Sequence, residues 1–240
     1  MTTDHLPVRL PSELSSRPRA DLRRASRLLA ALLLPIGPAA IAILRFVMPY
    51  STTDDSSQIV AKVAAHQTAQ SAVVWLGFVG VLTMVPAVTW AARLSRRSAP
   101  RLTAVALLLL VPAYTALGLL VAGDAAVLFA VRHHLAPATA ADAFEALHPV
   151  TLVAGVIFVI GHVVGTVLLG VAYLRTRVVA RWAAGALIVA QPLHFVAAVI
   201  VSSHPLDLAA WSLNALAFGV AAGAIVRLRD DEWDLAPRPA

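Results

Sequence analysis

The sequence contains no cysteine, which excludes disulfides, thiolate metal sites, iron–sulfur clusters and thioether-linked haem in one step. Lysine is almost absent too: Lys62 stands alone beside eighteen arginines, and no apolar stretch holds a lysine that would carry a retinal Schiff base. Charged residues make up 13% of the 240-residue chain, against about 25% in an ordinary soluble domain. No carboxylate falls at the centre of an apolar run, which argues against a carboxylate-driven proton pump. No His-Glu-x-x-His, Gly-x-Ser-x-Gly or phosphate-loop sequence occurs, so those hydrolase and nucleotide chemistries lack support.

The missing charge is replaced by Ala, Leu and Val, giving 59% hydrophobic residues and a mean hydropathy of +0.79. Lipid is the economical solvent for such a chain. Six apolar segments, at about 28–48, 71–92, 102–123, 150–173, 179–201 and 208–226, each approach the ~20 residues that cross a bilayer core. Their runs are continuous rather than alternating, which selects helices over a barrel. The expected fold is all-α: a polytopic transmembrane bundle of about six spans. The flanks, 1–27 and 227–240, read as cytoplasmic tails, the first basic and disordered.

Arginine placement sets the orientation. Six arginines precede the first span, four lie between the second and third, three between the fourth and fifth, and three follow the sixth. The alternate connections hold only Lys62 and Arg132, with Arg45 near the outer end of span one. By the positive-inside rule both termini are cytoplasmic. The net charge of +6 is then an orientation signal and a contact for anionic lipids rather than a nucleic-acid footprint. A rival for span one is a signal peptide, since Arg23-Arg24 precede an apolar run and Ala40-Ile41-Ala42 has cleavage-site form. Apolar residues continuing to Met48 favour an uncleaved anchor.

Two outer connections carry helical signals. Thr52 to Ser57 supplies caps before Ile59, Val60 and Val63, read as an outward extension of span two. Between spans three and four, Val127 to Val131 read as an extension of helix three, and Thr139-Ala140-Ala141-Asp142 has capping-box form before a short helix bearing Phe144 and Leu147. A small helical cap on the outer face is expected.

Polar residues within the spans are the functional candidates: His162 and Thr166 in span four, Gln191 and His194 in span five, Asn214 in span six. They are either interhelical hydrogen-bonding groups or the lining of a ligand pocket. Gly161-x-x-x-Gly165 permits a close helix approach within the bundle, and Pro35-Ile36-Gly37-Pro38 is expected to kink span one. Arg45 and Asp124 are expected to pair near the outer boundary. Outer-face metal candidates are His66, His133, His134, His148 and His204, although no spacing follows a known metal motif. His148 and His162 are fourteen apart, as haem ligands on one helix of a cytochrome b are, but His194 has no such partner. A single haem between His162 and His194, or a divalent metal on the outer face, stays open.

With Leu147-His148-Pro149, Gly161-His162-Val163-Val164-Gly165 and Gln191-Pro192-Leu193-His194 in view, the chain from about residue 28 resembles uncharacterised six-span membrane proteins of high-GC bacteria. That resemblance implies the bacterial cytoplasmic membrane and carries no activity. The preferred functional reading is non-enzymatic: a bundle that binds, transports or senses a small solute or lipid. The alternative is a haem- or metal-binding membrane redox protein. Three-plus-three inverted repeats, which would favour transport, are not evident. Oligomeric state is not readable.

Overall fold

The computed structural model describes residues 21–145 and 149–235, so His148 lies outside the described residues. Every regular element among them is helical, and six helices are long and apolar enough to cross a membrane. The protein is a membrane-embedded helical bundle. Its first span joins α1 (Arg23–Leu33) to α2 (Ile36–Val47) through a break at Leu34-Pro35, where proline cannot continue the hydrogen-bond ladder. α1 begins at Arg23, inside the segment read as a disordered tail. Then follow α3 (Ser56–Ala65), α4 (Gln67–Ala91), α5 (Pro100–Arg132), α6 (Pro137–Glu145), α7 (Pro149–Thr176), α8 (Arg181–Phe195), α9 (His204–Arg227) and α10 (Asp230–Trp233).

The spans form a ring in chain order. α2 packs on α4, α4 on α5, α5 on α7, α7 on α8, α8 on α9, and α9 closes on α2. Large apolar side chains such as Leu108, Leu152 and Ile200 are about three-quarters exposed or nearly so, as a lipid-facing surface requires. α7 sits tightly against α5 because Gly161 and Gly165 turn that way. A methyl group on Gly161 would meet the Leu109 carbonyl oxygen at 2.6 Å, and one on Gly165 would meet Leu110 Cγ at 2.6 Å. Gly170 turns instead to α8, against the Ala184 carbonyl oxygen at 2.9 Å. The two-glycine motif therefore serves packing within the bundle, with span three as the neighbour.

α5 continues beyond the apolar span to Arg132, as the run from Val127 to Val131 suggested. The extension carries Val127 and Leu128, which pack with Ile59, Val60 and Val63 of α3 and with Ala140 and Ala141 of α6. This cluster is the expected cap. Asp55 starts α3 with a reciprocal capping box to Gln58, and a break at His66 separates α3 from α4, so α3 is a distinct helix rather than an extension of span two. α6 begins at Pro137, which places Thr139 inside the helix and not at its cap; proline is well suited to a first turn.

At the opposite end, where the chain's described termini meet, the C-terminal segment is docked rather than free. Trp233 is fully buried, donates to Ser26 Oγ at 2.9 Å, and lies under the Arg93 guanidinium at 4.6 Å. Arg27 pairs with Asp230 at 3.0 Å, and Arg93 with Asp234 at 2.9 Å.

Candidate functional site

Beneath the cap, α2, α5, α7, α8 and α9 enclose a cavity of about 300 Å3. Its walls are apolar, from Ile41, Leu44, Leu117, Leu120 and Phe158 among others, while polar groups gather at its mouth and floor. On the lipid side Val159 of α7 and Phe195 and Val199 on the α8 side line the cavity while remaining 36–46% exposed. The cavity thus reaches the bundle surface between α7 and α8. Pro192 explains part of this shape. It offers no donor to the carbonyl of Ile188, and the helix then widens into a π turn over Val196–Ile200, which carries Ala198 and Val199 along the cavity.

The mouth is held by two carboxylates. Asp207, in the first turn of α9 behind an N-capping Ser203, accepts Arg45 Nε of α2 at 2.5 Å and His194 Nδ1 of α8. Its side chain is 2% exposed, so three spans converge on one buried charge. Asp124 of α5 accepts the Tyr50 hydroxyl and Gln70 Nε2, the latter at 2.9 Å. Burial, then the Asp124 charge, pushes the Tyr50 phenol well above its ordinary value of 10, so Tyr50 stays protonated as a donor. The expected Arg45–Asp124 pair is therefore corrected. Arg45 turns to Asp207 because Tyr50 and Gln70 already satisfy Asp124.

The floor is a box of rings. His162 is 1% exposed; its ring stacks on Phe158 at 4.3 Å and stands 5.4 Å from His194 and 6.0 Å from Trp211. His194 and Trp211 meet edge-on at 5.3 Å. One helical turn further from the cap, on the same three helices, lie Thr166, Gln191 and Asn214, all fully buried. Tyr114 of α5 brings its hydroxyl beside Thr166. Both amide heteroatoms of Gln191 and Asn214, Thr166 Oγ1, Trp211 Nε1 and His162 Nε2 are buried without a hydrogen-bond partner.

All five intramembrane candidates are buried in the bundle, but they are not mutual hydrogen-bonding partners; His162 and His194 line the cavity, and Thr166, Gln191 and Asn214 lie beneath it. Only His194 bonds across helices, and its partner Asp207 was not foreseen. His162 meets His194 as a ring neighbour and makes its hydrogen bond at home, Nδ1 donating to the Phe158 carbonyl at 2.5 Å. Asp207, Trp211 and Asn214 share one face of α9, an i, i+4, i+7 pattern that the sequence displays but that the search for isolated polar residues passes over.

The outer histidines do not assemble. His66 Nδ1 donates to the Lys62 carbonyl, His133 Nδ1 to the Phe129 carbonyl, and His204 Nδ1 to the Arg45 carbonyl, while His134 is exposed at a positive φ of 55°. Among the described residues no three His, Asp or Glu side chains converge to hold a metal ion. Nor do His162 and His194 fit one haem. A macrocycle needs an open plane between its axial ligands, whereas Phe158 and Trp211 crowd these rings, with centroids 4.3 and 6.0 Å from His162 and Trp211 5.3 Å from His194. No family model matches the chain, and neither a curated protein nor a solved structure does.

Proposed function

We propose that this protein binds an amphiphile in the outer half of the bacterial cytoplasmic membrane, with both termini in the cytoplasm and arginines 24, 97, 101 and 181 on the anionic-lipid face. The carrying observation is the cavity: about 300 Å3, apolar along its walls, and bounded by polar groups at two levels. Ligand sites begin at about this size, and the volume suits roughly ten water-sized groups. That is one end of a chain or a compact apolar molecule. The partly exposed Val159, Phe195 and Val199 supply lateral access from lipid. Toward the termini the bundle is filled by Leu110, Leu169, Tyr173 and Leu187, all 1% exposed or less, which favours reception or capture over a through-channel. On the same footing we place the chain with the six-span membrane proteins of high-GC bacteria that it resembles.

Trp211 reports occupancy, because it lines the cavity and is 1% exposed. The other four tryptophans are replaced by phenylalanine, and the protein in lipid nanodiscs is titrated with 1-bromododecane. Saturable quenching of Trp211 is expected. Gly123→Leu should abolish it, since a side chain there projects beside Phe144, whose nearest atom stands 3.9 Å from the added Cβ. Quenching that rises linearly and ignores Gly123→Leu would refute the proposal.

A further inference from the structure

Resting on that reading, we infer that the bound amphiphile carries a neutral hydroxyl head, an alcohol or a phenol, and that the head enters first, to the floor of the cavity. The tautomers decide this. The Phe158 carbonyl is an acceptor only, so His162 Nδ1 must be the protonated nitrogen bonded to it. A neutral His162 then presents Nε2 as a lone pair, and that nitrogen is buried and unpartnered beside the cavity. The doubly protonated ring would leave a buried charge with no counter-ion in contact, which is the costlier state. His194 is committed elsewhere: its Nδ1 donates to the Asp207 carboxylate, and its ring stands 5.4 Å from that of His162.

Among the residues that line the cavity, the floor therefore offers one imidazole acceptor, His162 Nε2, together with one unsatisfied donor, the Trp211 indole N–H. A hydroxyl is the smallest group that answers both, donating to an imidazole and accepting from the indole. A carboxylate or phosphate would set a charged oxygen against the His162 lone pair, with one indole N–H as donor and no free cation, since Arg45 is already bonded to Asp207. An ammonium would find acceptors but no free counter-charge, because Asp207 is already bonded to Arg45 and His194. A bare hydrocarbon end would leave the ring nitrogens unpaired, which is expensive where water is scarce. The apolar walls of Phe158, Leu117 and Leu120 then take the chain behind the head.

The test compares 2-bromododecan-1-ol with its methyl ether, 2-bromo-1-methoxydodecane, in the protein whose only tryptophan is Trp211. The two differ by one donor proton, and in each the bromine sits next to the head. The alcohol is expected to bind about threefold to tenfold more tightly, one net hydrogen bond. His162→Leu should weaken the alcohol to the level of the ether and leave the ether unchanged. His162→Gln, which retains an acceptor, should keep part of the preference. Equal affinities for alcohol and ether in the wild-type floor would overturn the hydroxyl assignment while leaving the cavity a binding site. Preference surviving His162→Leu would remove His162 from the role. Saturable quenching by neither compound would overturn the binding function itself.

Discussion

Gly161 offers a test of the bundle that the structure itself calibrates. In Gly161→Ala the new methyl carbon would stand 2.6 Å from the Leu109 carbonyl oxygen and 2.7 Å from Ala113 Cβ, so α5 and α7 must part. A separation of roughly 0.8 Å restores ordinary contact, and overpacking of this kind costs about 1–3 kcal/mol. Gly219 and Gly223 supply the comparison, because an added Cβ there meets nothing within 4 Å. All three substitutions gain the same helix propensity, up to about 1 kcal/mol, so this term cancels between them. For a chain of this size each kcal/mol moves the melting midpoint by about 2–4 °C. Gly161→Ala should then melt roughly 2–12 °C below Gly219→Ala when helical signal is followed in detergent at one scan rate. Gly165→Ala should fall between them, since its closest contact is the Leu110 side chain, which can shift, while the Ala106 carbonyl oxygen is 3.2 Å away. Equal midpoints for Gly161→Ala and Gly219→Ala would mean that α5 and α7 do not approach as described.

Removing Asp207 should destabilise the bundle strongly. Asp207→Leu leaves the Arg45 guanidinium buried without its partner, at a cost of about 3–5 kcal/mol, while the Arg45→Met, Asp207→Leu double variant should recover much of the loss in the same melts. Orientation is read by single cysteines on a native background that has none. Ser57→Cys and Thr139→Cys should label with an impermeant maleimide in intact cells, whereas Arg97→Cys and Ser98→Cys should label only after lysis. The docked C-terminus has a pH signature: the backbone N–H of Leu235 and then the Arg93 guanidinium hold the Asp234 carboxyl below its usual 3.8. That contribution is complete above the ordinary carboxylate range and is lost as pH falls through the lowered value. Emission from a protein whose only tryptophan is Trp233 should accordingly stay constant down to about pH 4 and change only below it.

The architecture was legible because each of its causes is local. Twenty apolar residues in a row and a Pro-Ile-Gly-Pro break are statements about neighbours in sequence, and lipid imposes helices on them. The ends of the elements were less legible. α3, expected as an outward extension of span two, is a separate helix that breaks from α4 at His66 and packs Val60 and Val63 against Val127 and Leu128 of α5, more than sixty residues away. The docking of Trp233 joins it to Ser26, 207 residues away, and to Arg93, 140 residues away, and nothing near Trp233 announces it.

The site divides along the same line. His162, Thr166, Gln191, His194 and Asn214 could be named in advance because a polar side chain in an apolar run is anomalous wherever it lies. What they do together depends on which neighbour each one meets. Gln191 and Asn214 have the donors and acceptors to join helices directly, yet they remain unpaired, while Asp207 at a helix start ties three spans together. The difference follows from depth. At the mouth the loop bearing Tyr50 brings a partner to Asp124, and side chains of α2 and α8 reach Asp207 at the start of α9; deeper in, Cβ directions on the spans fix what each polar side chain can reach. Polar atoms that no neighbour satisfies can be answered only by something that enters. For this reason the unpaired ring nitrogen of His162, and not the strongest ion pair in the structure, identifies the end of the cavity where a ligand's polar head belongs.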